Sequence, residues 1–257
     1  MSLHVNGASV VLDDATLLDG VDFQVAGGEI AAVVGPNGAG KTSLLRLLSG
    51  ELQSTGGSVA LGERNLADWP AAQRARQLAV LPQQSVLNFP FTAAEVVMLG
   101  RAPHASGIAR DRDIVAAALE RVDAVQLAHR EYPRLSGGEK QRVHLARVLA
   151  QIWEEPPEGR RFLLLDEPTA SFDLAHQRMT LEIAGELAAS GVGLVIVLHD
   201  LNLAARCAHQ IVMLREGRLV VSGPPDAVVT AEIVQSVFDV DVHIGRHPAH
   251  DSPLVIA

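Results

Sequence analysis

The chain of 257 residues is long enough to bury one sizeable core, and its formal charge of −9 argues against nucleic acid or an anionic lipid surface as the main partner, since both reward clustered Lys and Arg. Its single cysteine, Cys207, excludes an internal disulfide and fits a reducing compartment. The start MSLHVNGASVVL lacks the pattern of a secretion signal, and no run approaches the roughly 18 uninterrupted apolar residues of a membrane span, so a soluble, cytoplasmic chain is expected.

In chain order, Leu3 to Val25 alternates apolar stretches with turn-like Asp13-Asp14 and Asp19-Gly20, which predicts antiparallel strands. The run Ile30 to Val34 predicts a buried strand, and Ser43 to Leu48 a helix. Between them, Gly35-Pro36-Asn37-Gly38-Ala39-Gly40-Lys41-Thr42 fits the phosphate-binding pattern G-x-x-x-x-G-K-[ST] in the strand, loop, helix order that its mechanism requires. Gly35, Gly38 and Gly40 let the backbone turn several N–H groups toward one anion, and the helix start adds its partial positive charge. Lys41 can reach the β and γ phosphates, and the Thr42 hydroxyl is placed to ligate Mg²⁺. Pro36, Asn37, Ala39 and Ser43 complete the loop.

Ser58 to Leu61 predicts another strand and Leu78 to Leu81 a core strand. From about Ser85 to Trp153 the character changes to prolines and aromatics, then to an amphipathic helix over Asp113 to Leu127 with Ile114, Ala117, Ala118 and Val122 on one face, which predicts an inserted helical lobe. The strand Phe162 to Asp166, the helix Ala175 to Ala189 and the strand Leu194 to Leu198 follow. Near-continuous apolar runs alternating with helices indicate a parallel sheet covered on both faces. Cys207 lies in an Ala-rich helical stretch, Leu203 to Ala208, and is expected to be a buried, inert thiol. Ile211 to Leu214 and Arg218 to Val221, joined at Glu216-Gly217, read as a hairpin. A short helix over Ala231 to Phe238 and a polar tail end the chain. The organisation expected is one α/β domain: a nucleotide-binding core with a β subdomain over 1–84 and 160–222, a helical subdomain over 85–159 and an extension over 223–257.

Beyond the phosphate loop, Gln83 follows a strand and Leu135-Ser136-Gly137-Gly138-Glu139-Lys140-Gln141 opens a helix. Asp166-Glu167 ends the next strand, Ala170-Ser171-Phe172-Asp173 follows it, and His199 ends the strand after that. In this order the chain resembles the ATP-binding subunits of ABC transporters over nearly its whole length. The resemblance implies a P-loop NTPase fold of the ABC ATPase type, with a mostly parallel core sheet, an antiparallel β subdomain and an inserted helical subdomain. It implies ATP bound by Gly35 to Ser43, with Mg²⁺ held by Thr42, Gln83 and Asp166. Glu167 is the expected general base, one position beyond Asp166, with Gln83 and His199 as further donors around the γ-phosphate. Ser136 is a good helix N-cap, and Gly137 and Gly138 let N–H groups approach an anion, so this helix start is a second phosphate site. In the family it completes the ATP site of the opposite subunit, implying a head-to-tail homodimer with Asp173 along the interface.

One departure is that no aromatic residue precedes Phe23 to stack on adenine, which leaves Val10, Val11 or Leu12 as an aliphatic platform. Ala67-Asp68-Trp69-Pro70, Leu81-Pro82-Gln83-Gln84 with Phe89-Pro90-Phe91-Thr92, and Gly100-Arg101-Ala102-Pro103-His104 look like importers of iron chelates, haem and cobalamin. The insertion Trp153 to Arg161 is similar to haemin importers in particular. These likenesses imply an ATPase that energises haemin uptake from the cytoplasmic face of the membrane, with ferric siderophore or cobalamin as alternative cargo and a soluble ABC ATPase as a more distant reading. The implied partners are membrane permease subunits and, indirectly, a periplasmic or surface substrate-binding protein; no nucleic acid is implied. Phe89, Pro90, Phe91, Val96, Val97 and Met98 are the expected docking surface for a permease helix, with core packing an equal alternative for Val96 and Met98 on helical spacing. The spacing of His243, His247 and His250 fits no compact ligand set, and a solvated tail is expected there.

Overall fold

The computed structural model describes residues 1–83, 87, 89–157, 159–169 and 173–256. In chain order the elements are β1 (Ser2–Leu12), β2 (Ala15–Ala26), β3 (Ile30–Val34), α1 (Lys41–Ser49), β4 (Gly56–Leu61), β5 (Arg64–Asn65), α2 (Ala71–Gln77), β6 (Leu78–Leu81), α3 (Ala93–Met98) and α4 (Ile108–Arg121). They continue with α5 (Gly137–Gln151), β7 (Phe162–Asp166), α6 (Leu174–Ala189), β8 (Gly193–Val197), α7 (Leu201–Cys207), β9 (Gln210–Arg215), β10 (Arg218–Gly223), α8 (Pro225–Val228), α9 (Ala231–Phe238), β11 (His243–Arg246) and β12 (Pro253–Ile256).

A six-stranded sheet in the order β10-β9-β3-β8-β7-β6 carries the site. Its five strands from β9 to β6 run parallel, and β10 folds back antiparallel on β9. Both faces of the sheet are buried at β3, β7 and β8, whose residues are buried at every position. Ala31, Val33, Phe162, Leu164, Val195 and Val197 face the layer containing α1 and the antiparallel sheet. Ile30, Ala32, Leu163, Leu165, Leu194 and Ile196 face the layer that includes α3, α4, α5 and α6. The antiparallel sheet runs β2-β1-β4-β5. Its first turn uses Asp13 and Asp14, both left-handed at φ 48° and 65°, a conformation that Asp tolerates through its short polar side chain.

Several sequence expectations need correction. Asp19-Gly20 is not a turn: both residues lie inside β2, where Gly20 at φ 58° accompanies a shift in the β1–β2 register. The pattern there broke because a bulge, not a reversal, interrupts the alternation. The helix expected from Asp113 to Leu127 starts earlier, at Ile108, and stops at Arg121, where Asp123 at φ 51° breaks it; Val125–Leu127 is a separate 3₁₀ turn. Ile114, Ala118 and Val122 are buried as expected, and Ala117 is half-buried. Ser85, the expected start of the helical lobe, lies outside the described residues.

Of the expected docking residues, Val96 and Val97 are fully buried in the core and Met98 packs partly against it, whereas Phe89 is 66% exposed and Phe91 37%. The helical period of α3 turns its valines inward while the chain before it stays outside. The tail is a folded hairpin rather than a solvated strand of chain, with His243↔Ile256 and Arg246↔Pro253 in register and the His247 and His250 rings stacked 4.7 Å apart near its turn. Among the described residues no group of three or more metal-ligating side chains is present. Cys207 is half-buried, and burial pushes its thiol up to about 11, which fits the inert role expected. No helix of the described residues is long and apolar enough to cross a membrane.

Candidate functional site

The site forms where β3, β7 and β8 end together, the edge at which ligands of open α/β sheets collect. Leaving β3, the chain passes through Gly35, Gly38 and Gly40 at φ 154°, 78° and 98° before α1 begins at Lys41. Gly35 has a packing reason as well: a Cβ there would collide with the Leu214 carbonyl of β9. The loop is tied from behind by the Gly217 N–H, which donates to the Ala39 carbonyl at 3.0 Å, while the Gly217 carbonyl accepts from Asp19 N–H at 2.9 Å. The β9–β10 turn thus braces the phosphate loop against β2.

Lys41 is buried, and its Nζ donates to the carbonyls of Gly35 at 2.8 Å and Pro36 at 2.9 Å. Burial lowers its pKa, and the Glu167 and Asp166 carboxylates oppose that shift. The ammonium is therefore held by the backbone carbonyls of Gly35 and Pro36, with the Glu167 and Asp166 carboxylates nearby.

Asp166 is the last residue of β7 and only 4% exposed. Burial raises its pKa, opposed first by a hydrogen bond with the Thr42 side chain. Its Oδ1 is buried without a hydrogen-bond partner. A buried, unpaired carboxylate oxygen beside a threonine hydroxyl is the hard oxygen set that suits Mg²⁺, which binds through one or two protein ligands plus phosphates.

Glu167 follows with a left-handed backbone, φ 49°, that turns its side chain away from the sheet end. Gln83 Nε2 donates to its Oε2 at 2.6 Å, and His199 Nε2 lies 2.5 Å from its Oε1. An ionised carboxylate only accepts, so the imidazole donates in this contact. Two strand ends and the segment after β6 therefore converge on one carboxylate. His199 itself lies two residues past β8, just before Asp200, whose side chain caps α7 by accepting from the N–H of Asn202 at 2.7 Å and of Leu203 at 3.2 Å.

These groups line one cavity of about 630 Å³, bounded by Asn37 to Ser43, Gln83, Glu167 and His199. Gly35 and Pro36 stand behind it as the acceptors for Lys41, and Asp166 borders an adjoining recess with Thr42 and Gln83. Four cavity residues were not anticipated: Thr16, Leu17, Glu216 and Gly217. Of the expected adenine platform, Val10 is buried in the core, while Val11 and Leu12 are exposed and do not line this cavity, whose β2 wall is Thr16 and Leu17. The one available signal was the Glu216-Gly217 hairpin turn, which was legible as a turn but not as a wall of the site.

Ser136, Gly137 and Gly138 are not part of this cavity. Ser136 caps α5 with its Oγ accepting from Glu139 N–H at 3.3 Å, and Glu139 Oε2 accepts from Ser136 N–H at 2.7 Å, a complete capping box. Ser136 and Gly137 are exposed, so this helix start faces outward. Asp173 caps α6 by accepting from His176 N–H at 2.9 Å. Gln84, Ala170, Ser171 and Phe172 lie outside the described residues.

Comparison with known proteins agrees with this geometry. The model of the ABC transporter family matches residues 18–170. The chain is 52% identical to the hemin import ATP-binding protein HmuV of Gloeobacter violaceus, over 99% of this chain and 93% of that protein. It is 48% identical to the protein of the same name from Pseudomonas aeruginosa, over 99% of each. Among solved structures, an ATP binding subunit of an ABC transporter superposes with a TM-score of 0.79 at 26% identity, covering 94% of this chain and 95% of the other. A cavity built on a glycine loop, with an acidic pair at a strand end and this likeness along the whole sequence, places the chain in the ABC transporter family, as an ATP-binding subunit.

Proposed function

We propose that this chain is the ATP-hydrolysing subunit of a haemin importer, working at the cytoplasmic face of the membrane as a head-to-tail homodimer against permease subunits. The observation that carries the ATPase assignment is the Glu167 carboxylate, gripped by Gln83 and His199 at the mouth of the cavity that Lys41 closes from the other side. The cargo rests on identity near one half, along the full chain, to proteins named for hemin import.

In this reading the N–H groups of Gly38 to Ser43 and the Lys41 ammonium receive the β and γ phosphates, and Thr16 and Leu17 border the base end. Thr42, Asp166 and Gln83 would hold Mg²⁺, which when bound would supply positive charge against the phosphates. Glu167 takes the proton of the attacking water, and the Gln83 amide and His199 imidazole orient that carboxylate and donate toward the transferring group. Ser136, Gly137 and Gly138, turned outward here, close the partner's cavity with their helix start. Closure and reopening of that dimer is the motion passed to the permease, with a substrate-binding protein delivering the cargo from outside.

The test is growth. Deleting the gene in a host that can use several iron sources should abolish growth on haemin while leaving growth on ferric siderophore intact, and a Glu167→Gln copy should not restore it. Loss of siderophore growth with haemin growth preserved would refute the cargo. Restoration by the Glu167→Gln copy would refute Glu167 as the base.

A further inference from the structure

The residues that end the chain pack onto the helix that follows the catalytic histidine. β12 lies against α7, and the side-chain amide of Asn202 bonds both backbone groups of Val255: Nδ2 donates to the Val255 carbonyl at 3.1 Å, and Oδ1 accepts the Val255 N–H at 2.7 Å. Asn202 thereby acts as a one-residue strand partner for β12. Its own backbone N–H is held by Asp200, so both ends of the residue are fixed within three positions of His199.

The far end of α7 is fastened separately. The Ile30 N–H donates to His209 Nδ1 at 3.0 Å, and the His209 N–H to the Ile30 carbonyl at 2.8 Å. Seven residues are too few for a helix to hold its own shape in water, so its orientation comes from these tertiary attachments. The end at His209 is anchored to β3, deep in the sheet. The end at His199 is anchored to the hairpin through Asn202, and Leu201, Leu203, Ile244 and Val255 each pack against the core. The His199 side chain is half exposed and meets Glu167 at 2.5 Å, so where its backbone sits helps to set that contact.

We infer that the β11–β12 hairpin, through the paired bonds between Asn202 and Val255, positions His199 against Glu167 and so sets the rate of hydrolysis. Asn202 is a positioning residue and touches no phosphate; the inference rests on His199 acting in hydrolysis as proposed above. Misplacing a donor by a fraction of its bond length costs turnover without touching the groups that bind ground-state nucleotide.

The experiment compares steady-state ATP hydrolysis by the parent chain, Asn202→Ala, Asn202→Asp, His199→Ala and the double variant His199→Ala/Asn202→Ala. Asn202→Asp keeps the shape and the acceptor for Val255 N–H while losing the donor, so it guards against an unfolded alanine variant. Both Asn202 variants should lower kcat roughly tenfold with KM for ATP unchanged, and the double variant should be no slower than His199→Ala alone. Parental kcat in both Asn202 variants, with only the thermal midpoint reduced, would overturn the positioning role and leave the ATPase reading standing. A further tenfold loss on top of His199→Ala would overturn it too. Parental hydrolysis by His199→Ala would instead overturn the role of His199, and the positioning claim with it.

Discussion

Two helix starts in this molecule, α1 at Lys41 and α5 at Gly137, follow the same local recipe and end up in opposite situations. Each places glycines where backbone N–H groups can approach an anion, and each points the positive end of a helix at that place. At α1 the surrounding chain closes in: the loop is braced by Gly217, Lys41 is buried, and the carboxylates of Asp166 and Glu167 stand nearby. At α5, among the described residues, no comparable wall covers the start, and only the Arg130 side chain reaches Glu139. Ser136 and Gly137 are exposed, the N-cap is satisfied by its own capping box, and an added Cβ at Gly137 would meet open space. The difference teaches that glycines at a helix start make a cavity only where the surrounding chain folds over them, which happens at α1 and not at α5.

The largest effect that could break this comparison is on nucleotide binding by the single chain. Lys41→Ala removes an ammonium already desolvated in place, and charge-assisted bonds of about 1.5–3 kcal/mol each should go with it, weakening ATP binding roughly a hundredfold or more. Titration with a fluorescent ATP analogue measures this directly. If α1 and α5 contributed equally to binding within one chain, the loss would be far smaller.

The second prediction concerns the helix behind the exposed start. His144 of α5 is buried, 2.7 Å from the Tyr132 hydroxyl, and burial lowers its imidazole to about 4 from 6.5, with Arg147 adding to the shift. Because the folded value lies below the unfolded one, the unfolded chain binds more protons between those two values. The contribution is therefore fully present above about pH 6.5 and lost as pH falls toward 4. At about 1.36 kcal/mol per pH unit, the whole window corresponds to ~3 kcal/mol. Denaturant unfolding at pH 7 and pH 4.5 should show His144→Gln losing markedly less stability over that interval than the parent. Equal losses would mean that the imidazole is protonated in the folded chain.

How much of this was legible beforehand follows the same division. The loop from Gly35 to Thr42, the acidic pair Asp166-Glu167 and His199 could be read because each depends on neighbours in sequence: a glycine spacing, or a polar residue closing an apolar run. Thr16, Leu17, Glu216 and Gly217 could not, because they reach the cavity only through the packing of β2 and the β9–β10 turn on the loop. For the same reason Thr16 and Leu17 of β2, rather than Val10, Val11 or Leu12, line this cavity. The terminal hairpin was hidden by its composition. Two strands of only four residues, one of them the largely polar His243–Arg246, are too short to stand out, and they hold together against α7 rather than alone.

The smallest expected effect sharpens the comparison most. Ser136→Ala removes the capping oxygen of α5 but leaves Glu139 and its own bond to the Ser136 backbone N–H. Loss of a serine N-cap costs ~1 kcal/mol, so unfolding free energy should fall by about that much. ATP binding by the single chain should not change, because Ser136 lies outside the cavity. If the exposed helix start meets the partner's phosphate as proposed, turnover should fall several-fold all the same, and more steeply at low protein concentration. A variant that bound ATP less tightly as a monomer would mean that α5 serves its own chain. A variant with parental turnover at every concentration would mean that the serine does no more than cap its helix.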